Sequence, residues 1–249
     1  MAFQNSLVAR PSFMNAKADI GVETMSKADV FNRTLLCVGI TTLSALISAF
    51  LSDSGILPPA TLGIVTIISV VLTIAAGIYN AFKMTAPRPW VILTYCAAEG
   101  FLLGVISIAY NTLYDGVVLQ AVLATAAVVW ACSLGSKYLA TSTKSVISRF
   151  IMIALPAYCI FALINAVLVW FHVLPGFGVY SMGPLGILIS LGAILLGSFM
   201  LVRDFDNIDE MVGVAPREFS WSISYSILLD IVWLYIEILR LLAILNEKK

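Results

Sequence analysis

The stretch "LLDIVWLYIEILRLL", Leu228 to Leu242, decides how this chain folds. Every residue in it is apolar or aromatic except Asp230, Glu237 and Arg240. With its flanking residues it is long enough to cross the hydrocarbon core of a bilayer. A charged side chain at the centre of a bilayer costs ~2.5–3.5 kcal/mol on insertion scales. The stretch therefore predicts a membrane helix whose ionisable residues face other protein elements or a water-filled cavity.

The composition of the whole chain indicates the same class. Of the 249 residues, 61% are hydrophobic and 11% are charged, and the mean hydropathy is +1.01. A soluble domain has about 25% charged residues. The apolar residues form long runs, without the alternation of a membrane β-barrel. We predict an all-α polytopic membrane protein, and a net charge of zero gives no reason to expect nucleic acid as a partner.

Seven apolar runs are each long enough to span a bilayer as a helix. Turn-like stretches such as "SDSGILPP", "TAPRP" and "GVAP" separate them. Residues 1–30 are predicted as an amino-terminal cytoplasmic tail, and residues 31–249 as a seven-helix transmembrane domain. The runs are Thr34–Leu51, Thr61–Phe82, Trp90–Tyr110, Gly116–Gly135, Val146–Trp170, Met182–Val202 and Phe219–Leu245.

The distribution of Lys and Arg predicts the orientation. The amino-terminal tail and the second, fourth and sixth loops hold eleven of these residues, whereas the first, third and fifth loops hold none. Because basic loops stay on the cytoplasmic side, the amino terminus is expected there. Seven full spans would place Lys248 and Lys249 outside, against this rule, so whether the seventh helix crosses completely stays open. The eleven residues are Arg10, Lys17, Lys27, Arg33, Lys83, Arg88, Lys137, Lys144, Arg149, Arg203 and Arg217.

Helical spacing predicts which way the inner polar residues of the last two runs face. In the seventh run, the residues Ser222, Ser226, Asp230 and Glu237 recur at spacings of four, four and seven, which places them on one stripe of an α-helix. In the sixth run, a stripe of small residues also leads to Asp204. Small residues let helices approach closely, so Asp204 is expected on a packed face. The sixth-run stripe is Gly186, Ser190, Ala193, Gly197 and Asp204.

Each acidic residue also has a simpler interpretation. Glu237 and Arg240 are three residues apart and could simply neutralise each other. Asp204 could be a solvated loop charge together with the acidic residues that follow it. Asp230 has no cation within one turn, which makes it the hardest to explain without a function. In the third run, Glu99 follows Tyr95 by one turn, so a local hydrogen bond is an alternative to a cavity-facing role.

The depth of the two aspartates along their helices differs. If "GVAP" centres the turn between the last two runs, Asp230 lies about five residues, or ~7 Å, deeper than Asp204. A tilt of the helices, or a break in the sixth helix after Asp204, would absorb this difference.

Three segments resemble the Bax inhibitor family, the transmembrane Bax inhibitor motif proteins, and most closely its bacterial branch. The resemblance extends from about Phe31 to the end of the chain. It is strongest from Met182 onward, where an Asp follows the sixth run and a Leu-Asp and a late Leu-Arg occur in the seventh. The segments are "YCAAEGFLLGVIS" (95–107), "DFDNIDEMVGVAPREFSW" (204–221) and "LLDIVWLYIEILRLLAIL" (228–245).

This resemblance implies a seven-helix bundle with the last helix in the centre. It also implies a pH-sensitive leak channel for calcium or other cations in a membrane, here expected to be a bacterial plasma membrane. The family's aspartate latch, which senses pH, corresponds to Asp204 and Asp230, and Lys83 is the nearest match to a basic residue that supports the latch in some members. The role of Glu237 is not inherited, because relatives have a neutral or basic residue there. No cofactor, metal site or protein partner is assigned. The residues that could line the path are Glu99, Ser226, Glu237 and Arg240.

The chemistry of two buried acids agrees with a latch. Two carboxylates in one site of low dielectric constant do not both ionise easily, so a single shared proton joins them by a strong hydrogen bond. Loss of that proton creates repulsion, and a second proton removes the charged bond. Either event could free the helices, so the direction of the pH response stays open. An acidic, water-filled vestibule would attract divalent cations.

Other functions fit less well. A proton-coupled secondary transporter could use Asp230 and Glu99 as a relay, but the sequence has no clear inverted repeat. A non-conducting membrane regulatory protein would not need Asp230. We expect no enzyme, because the single histidine, His172, falls in an outer loop and there is no HExxH motif. The stretch "DFDNID" does not fit a calcium-binding EF-hand loop, because Asp209 occupies the position of the glycine.

Overall fold

A computed structural model of the chain describes residues 23–56, 58–83, 87–139, 141–173, 178–181 and 183–247. The first 22 residues of the predicted tail, with Arg10 and Lys17, lie outside the described residues. So do Lys248, Lys249 and Met182, the predicted first residue of the sixth helix.

The part of the chain that the structure describes forms seven long helices and no strand, which confirms the all-α class. The helices follow the seven predicted runs. Two short 3-10 helices, Gly178–Ser181 and Arg217–Phe219, precede the last two helices. The seven helices are α1 (Lys27–Asp53), α2 (Pro59–Phe82), α3 (Pro89–Leu113), α4 (Val117–Tyr138), α5 (Thr141–Trp170), α6 (Pro184–Met211) and α7 (Ser220–Glu247).

Helix α1 begins at Lys27, seven residues before the predicted Thr34. The cause is a capping box, a local pattern that the apolar run does not reveal. The Ser26 hydroxyl accepts a hydrogen bond from the Asp29 amide at 3.1 Å, and the Asp29 carboxylate accepts one from the Ser26 amide at 3.1 Å. These two bonds satisfy amides that the start of a helix otherwise leaves without a partner.

Helix α6 continues to Met211, nine residues beyond the predicted end at Val202. The acidic residues that follow Arg203 are therefore helical, and interpreting them as loop charges is wrong. Two of them form salt bridges that neutralise their charge, Lys144–Asp206 and Lys27–Asp209. The chain turns only afterwards, where Gly213 adopts a left-handed φ of 74°.

The lengths and compositions of the helices confirm a polytopic membrane bundle. Six helices, α1 to α6, are long and apolar enough to cross a membrane. Helix α7 carries Asp230, Glu237 and Arg240 and differs from them by its burial. Among its residues from Ser220 to Asn246, only Leu245 is exposed. Helix α7 is therefore packed against other described residues along most of its length.

Contact clustering divides the chain into two compact units. Within the described residues, the first unit contains α1 to α3, the end of α6 from Asn207, residues 212–219 that connect α6 to α7, and the start of α7, up to Leu228. The second unit contains α4, α5, α6 as far as Asp206, and α7 from Leu229 onward. Asp204 and Asp230 therefore both belong to the second unit.

The first unit is held together by close packing of α1 against α3. Ser44 donates a hydrogen bond to the carbonyl of Ala97 at 2.6 Å, and Ser48 donates one to the carbonyl of Phe101 at 2.8 Å. On α3, Gly104 lies directly over Ser48 and the carbonyl of Ala45, so that a side chain at this glycine would overlap both. Small residues at these positions allow the two backbones to approach closely enough for the serines to reach across.

Replacement of Gly104 by alanine should therefore separate the two helices. We expect Gly104→Ala to lower the free energy of unfolding by about 1–3 kcal/mol, as overpacking usually does. The matched control is Gly39→Ala on α1, where a new Cβ atom has nothing within 4 Å. This control should be neutral or stabilising, because alanine favours a helix over glycine. Equal effects of the two substitutions on equilibrium unfolding in detergent micelles would contradict the packing argument.

Candidate functional site

The packing of α6 against α7 sets the register of the second unit. The indole nitrogen of Trp233 donates a hydrogen bond to the carbonyl of Ala193 at 3.1 Å. One turn further along α6, a Cβ atom at Gly197 would lie 2.8 Å from the Trp233 ring and 3.1 Å from the Leu234 side chain. Two members of the small-residue stripe, Ala193 and Gly197, thus pack against α7, so the stripe lies on a packed face as its spacing predicts.

This register places the two aspartates about one helical turn apart in depth. Asp204 lies seven residues beyond Gly197, whereas Asp230 lies four residues before Leu234. The difference of three residues corresponds to about 4.5 Å along the helix axes. Helix α6 continues without a break past Asp204 to Met211. The predicted break in α6 after Asp204 is therefore absent, and it does not account for the difference in depth between the two aspartates.

Both aspartates are removed from solvent. Asp204 is 3% exposed and Asp230 is 2% exposed. Their carboxyl groups lie close enough to act on each other electrostatically. The Oδ2 atom of Asp230 has no hydrogen-bonding partner among the described residues. A buried carboxylate oxygen without a hydrogen-bonding partner is costly, so packing alone does not account for an aspartate at this position.

Charged and titratable groups surround the pair on neighbouring helices. Arg203 on α6 is the cation that acts on Asp230, and its guanidinium lies 3.7 Å from the Asp204 carboxylate. On α4, the thiol of Cys132 lies within electrostatic range of Asp230 and donates a hydrogen bond to the carbonyl of Ser198 at 3.6 Å. Two residues beyond Asp204 on α6, Asp206 forms a salt bridge with Lys144 of α5. Helices α4, α5 and α6 of the second unit thus supply groups around the pair or beside it.

A second polar cluster lies two turns further along α7. The Glu237 carboxylate, whose residue is 4% exposed, accepts hydrogen bonds from Arg240 at 2.7 Å and from the Tyr158 hydroxyl at 2.6 Å. The Tyr180 hydroxyl lies 2.8 Å from that of Tyr158, and the Arg240 guanidinium stacks over the Tyr180 ring at 4.3 Å. The expected neutralisation of Glu237 by Arg240 is therefore present, and two tyrosines extend it into a network.

The remaining candidate residues belong to the first unit. Glu99 is half-buried on α3, with Tyr95 and Thr73 beside its carboxyl group. The ring of Tyr95 packs edge-on against Tyr225 of α7, with 5.0 Å between the centroids. Ser226 is half-buried, and Lys83 is exposed at the carboxyl end of α2. Their roles as path-lining residues and as support for the latch stay predictions.

The residues that helical spacing did not reveal are the partners of the acidic groups. Arg203, Cys132, Tyr158 and Tyr180 all lie on elements other than α7, far from Asp230 and Glu237 in sequence. Only Arg203 had a usable signal, as a basic residue directly before Asp204. Within the described residues, no group of three His, Cys, Asp or Glu side chains is placed to hold a metal ion.

Comparison with known proteins identifies the family. A family model described as "Bax inhibitor 1 like" matches residues 3–247, nearly the whole chain. No curated protein matches the chain significantly. The matched range contains all seven helices, the buried aspartate pair and the Glu237 network. This chain is a member of the Bax inhibitor 1 like family of helical membrane proteins.

Proposed function

We propose that the protein is a pH-sensitive leak channel for Ca²⁺ or other cations, gated by Asp204 and Asp230. The observation that carries the proposal is the burial of two interacting carboxyl groups on neighbouring helices. Ionisable residues inside a membrane protein are costly, and they usually mark an ion path or a proton-binding site. The resemblance to the Bax inhibitor family implies the same pair of residues as a pH sensor.

The sensing step is a change in the number of protons on the pair. With one shared proton, the carboxyl groups attract each other and hold α6 against α7. With no proton they repel, and with two protons the charged hydrogen bond is lost. Arg203 opposes the repulsion, and the salt bridge of Lys144 with Asp206 lies two residues beyond Asp204 on α6. The strength of the contact between the two carboxyl groups therefore depends on the proton concentration.

The permeant ions follow from the charges along α7. Asp230 and Glu237 lie on one face of the helix, seven residues apart. Carboxylate oxygens are the ligands that Ca²⁺ prefers, and a ring or row of acids favours cations over anions. Ser226 lies on the same stripe of α7, one turn before Asp230, and would add a further oxygen atom to such a path. Arg240 restrains cation passage at Glu237 for as long as the ion pair between them persists.

The distribution of basic residues supports a cellular placement. We place the amino terminus in the cytoplasm, because the basic loops all fall on one predicted side. The resemblance to the bacterial branch of the family is the reason for placing the protein in a bacterial plasma membrane. The proposed activity is passive flux and involves no catalysis, no cofactor and no nucleic acid. The bilayer and the permeant cation are the partners that this activity requires.

A flux experiment tests the proposal. The purified protein is reconstituted into liposomes loaded with a Ca²⁺-sensitive dye, and Ca²⁺ entry is followed over a series of pH values. We expect protein-dependent entry whose rate changes with pH. Entry equal to that of empty liposomes at every pH would exclude a channel. Saturating uptake driven by an imposed proton gradient would instead favour a proton-coupled transporter.

A further inference from the structure

We propose that residues 23–29 form a strap that holds the α6–α7 connection, residues 212–219, and thereby restrains opening. The two helices that leave this connection carry Asp204 and Asp230. The proposal concerns the regulation of that pair, and its flux readout rests on the proposed channel function. All the contacts described below lie within the first unit.

Backbone hydrogen bonds join the strap to the connection. The amide of Met25 donates to the carbonyl of Ala215 at 2.9 Å, and the amide of Gly213 donates to the carbonyl of Met25 at 3.0 Å. The amide of Arg217 donates to the carbonyl of Glu23 at 2.9 Å. Thr24 and Pro216 form an isolated antiparallel bridge between the same two segments. The strap thus pairs with the connection in the manner of a short β-strand addition.

The side chain of Met25 anchors this pairing. Met25 is 1% exposed, and Ala215 opposite it is 3% exposed. Glu23, Thr24 and Ser26 around Met25 are exposed. A single apolar residue buried within an otherwise polar segment indicates a docked segment, because a free polar tail would have no reason to bury it.

Charge pairs reinforce the strap. The Arg217 guanidinium forms salt bridges with Glu23 and, at 2.9 Å, with Asp29. The bonds with Glu23, and then those with Asp29, raise the pKa of Arg217 above its ordinary value, so the arginine stays charged. Lys27 pairs with Asp209 in the last turns of α6. The strap therefore contacts both the end of α6 and the residues just before α7.

The first turns of α1 form further contacts with the start of α7. Arg33 donates hydrogen bonds to the carbonyl of Arg217 at 2.9 Å and to the Ser220 hydroxyl, and it stacks on the Trp221 ring at 4.9 Å. The Ser224 hydroxyl donates to the carbonyl of Val30 at 3.1 Å. Movement of α7 at its first turns would break these contacts.

The strap is suited to reversible release. Its salt bridges Arg217–Glu23 and Lys27–Asp209 are exposed, and exposed ion pairs contribute little individually. The docked segment is short, so it can open locally while the helices stay folded. Asp204 lies seven residues before the end of α6, and Asp230 lies ten residues after the start of α7. A stiff helix whose end is freed can shift residues that lie two or three turns away.

The test compares Arg217→Gln with a matched control. Arg217→Gln removes the two salt bridges that Arg217 forms with Glu23 and Asp29 of the strap and leaves the pair Lys27–Asp209 in place. Arg149→Gln removes the same charge from an exposed arginine that forms no salt bridge within the described residues. We expect Arg217→Gln to raise Ca²⁺ entry at fixed pH roughly three- to tenfold, the factor by which weak contacts shift a two-state equilibrium. Arg149→Gln should conduct like the unaltered protein.

Hydrogen exchange of the full chain provides a readout independent of flux. In Arg217→Gln, the amides of Met25, Gly213 and residue 217 should exchange faster, as they should in a second variant, Met25→Asp. Unchanged exchange in both variants would overturn the strap. Faster exchange with unchanged or lower Ca²⁺ entry would overturn its restraining role. If the unaltered protein passes no Ca²⁺, the channel proposal fails, and exchange alone then decides whether the strap holds the connection.

Discussion

Asp230→Asn is expected to abolish the pH dependence of Ca²⁺ entry into liposomes. The amide is similar in size to the carboxylic acid and can still hydrogen-bond to Asp204, but it cannot release a proton. Asp230 is 2% exposed and acts electrostatically on Asp204. In the variant, the interaction between the two side chains no longer changes with a proton on residue 230. The rate should therefore vary little over a pH range in which that of the unaltered protein varies about tenfold, equivalent to ~1.4 kcal/mol.

The matched control is Asp115→Asn, which removes a carboxylate from an exposed position between α3 and α4. Its pH profile should follow that of the unaltered protein. Asp204→Asn should flatten the profile as Asp230→Asn does, and the double variant should be no flatter than either single variant, because the two groups act as one unit. If Asp230→Asn titrates like the unaltered protein, the aspartate pair is not the sensor.

Arg240→Leu is expected to cause the largest loss of stability. Glu237 is buried, and its carboxylate accepts hydrogen bonds from Arg240 and Tyr158. Removal of one partner from a buried ion pair leaves an uncompensated charge, which costs about 3–5 kcal/mol. The free energy of unfolding, measured by equilibrium denaturation in detergent micelles, should fall by about this amount.

A second substitution separates charge from packing. Glu237→Gln in the Arg240→Leu background removes the uncompensated carboxylate, so it should recover most of the lost stability. The double variant keeps a hydrogen-bond partner for Tyr158 through the glutamine side chain. If the double variant is as unstable as Arg240→Leu, the loss comes from packing of Arg240 on the Tyr180 ring and the ion pair is not its cause.

The same network bears on the function of Glu237. A residue that only stabilises the helix end should leave the pH profile of Ca²⁺ entry unchanged when the double variant replaces both charges. A residue that lines the path should alter the rate as well, because the double variant removes both a carboxylate and a cation from one face of α7. The two roles are therefore distinguishable in the liposome assay described above.

Hydropathy and helical spacing alone established the membrane class, the seven helices found among the described residues and the packed face of α6. A residue in lipid must satisfy its backbone within its own helix, so long apolar runs allow few folds. The fixed period of the helix then places Gly186, Ser190, Ala193, Gly197 and Asp204 on one side. Which residues share a helix face depends only on their spacing in the sequence. For this reason the burial of the stripe agrees with the prediction.

Only the tertiary structure decided which groups those faces meet. Arg203 and Cys132 beside Asp230, and Tyr158 and Tyr180 beside Glu237, come from other segments of the chain. The later end of α6 has a similar origin, because its acidic residues pair with Lys27 and Lys144 of distant segments. The period of a helix determines which residues share one of its faces. The packing distance and register between helices determine the partners, and no single segment contains that information.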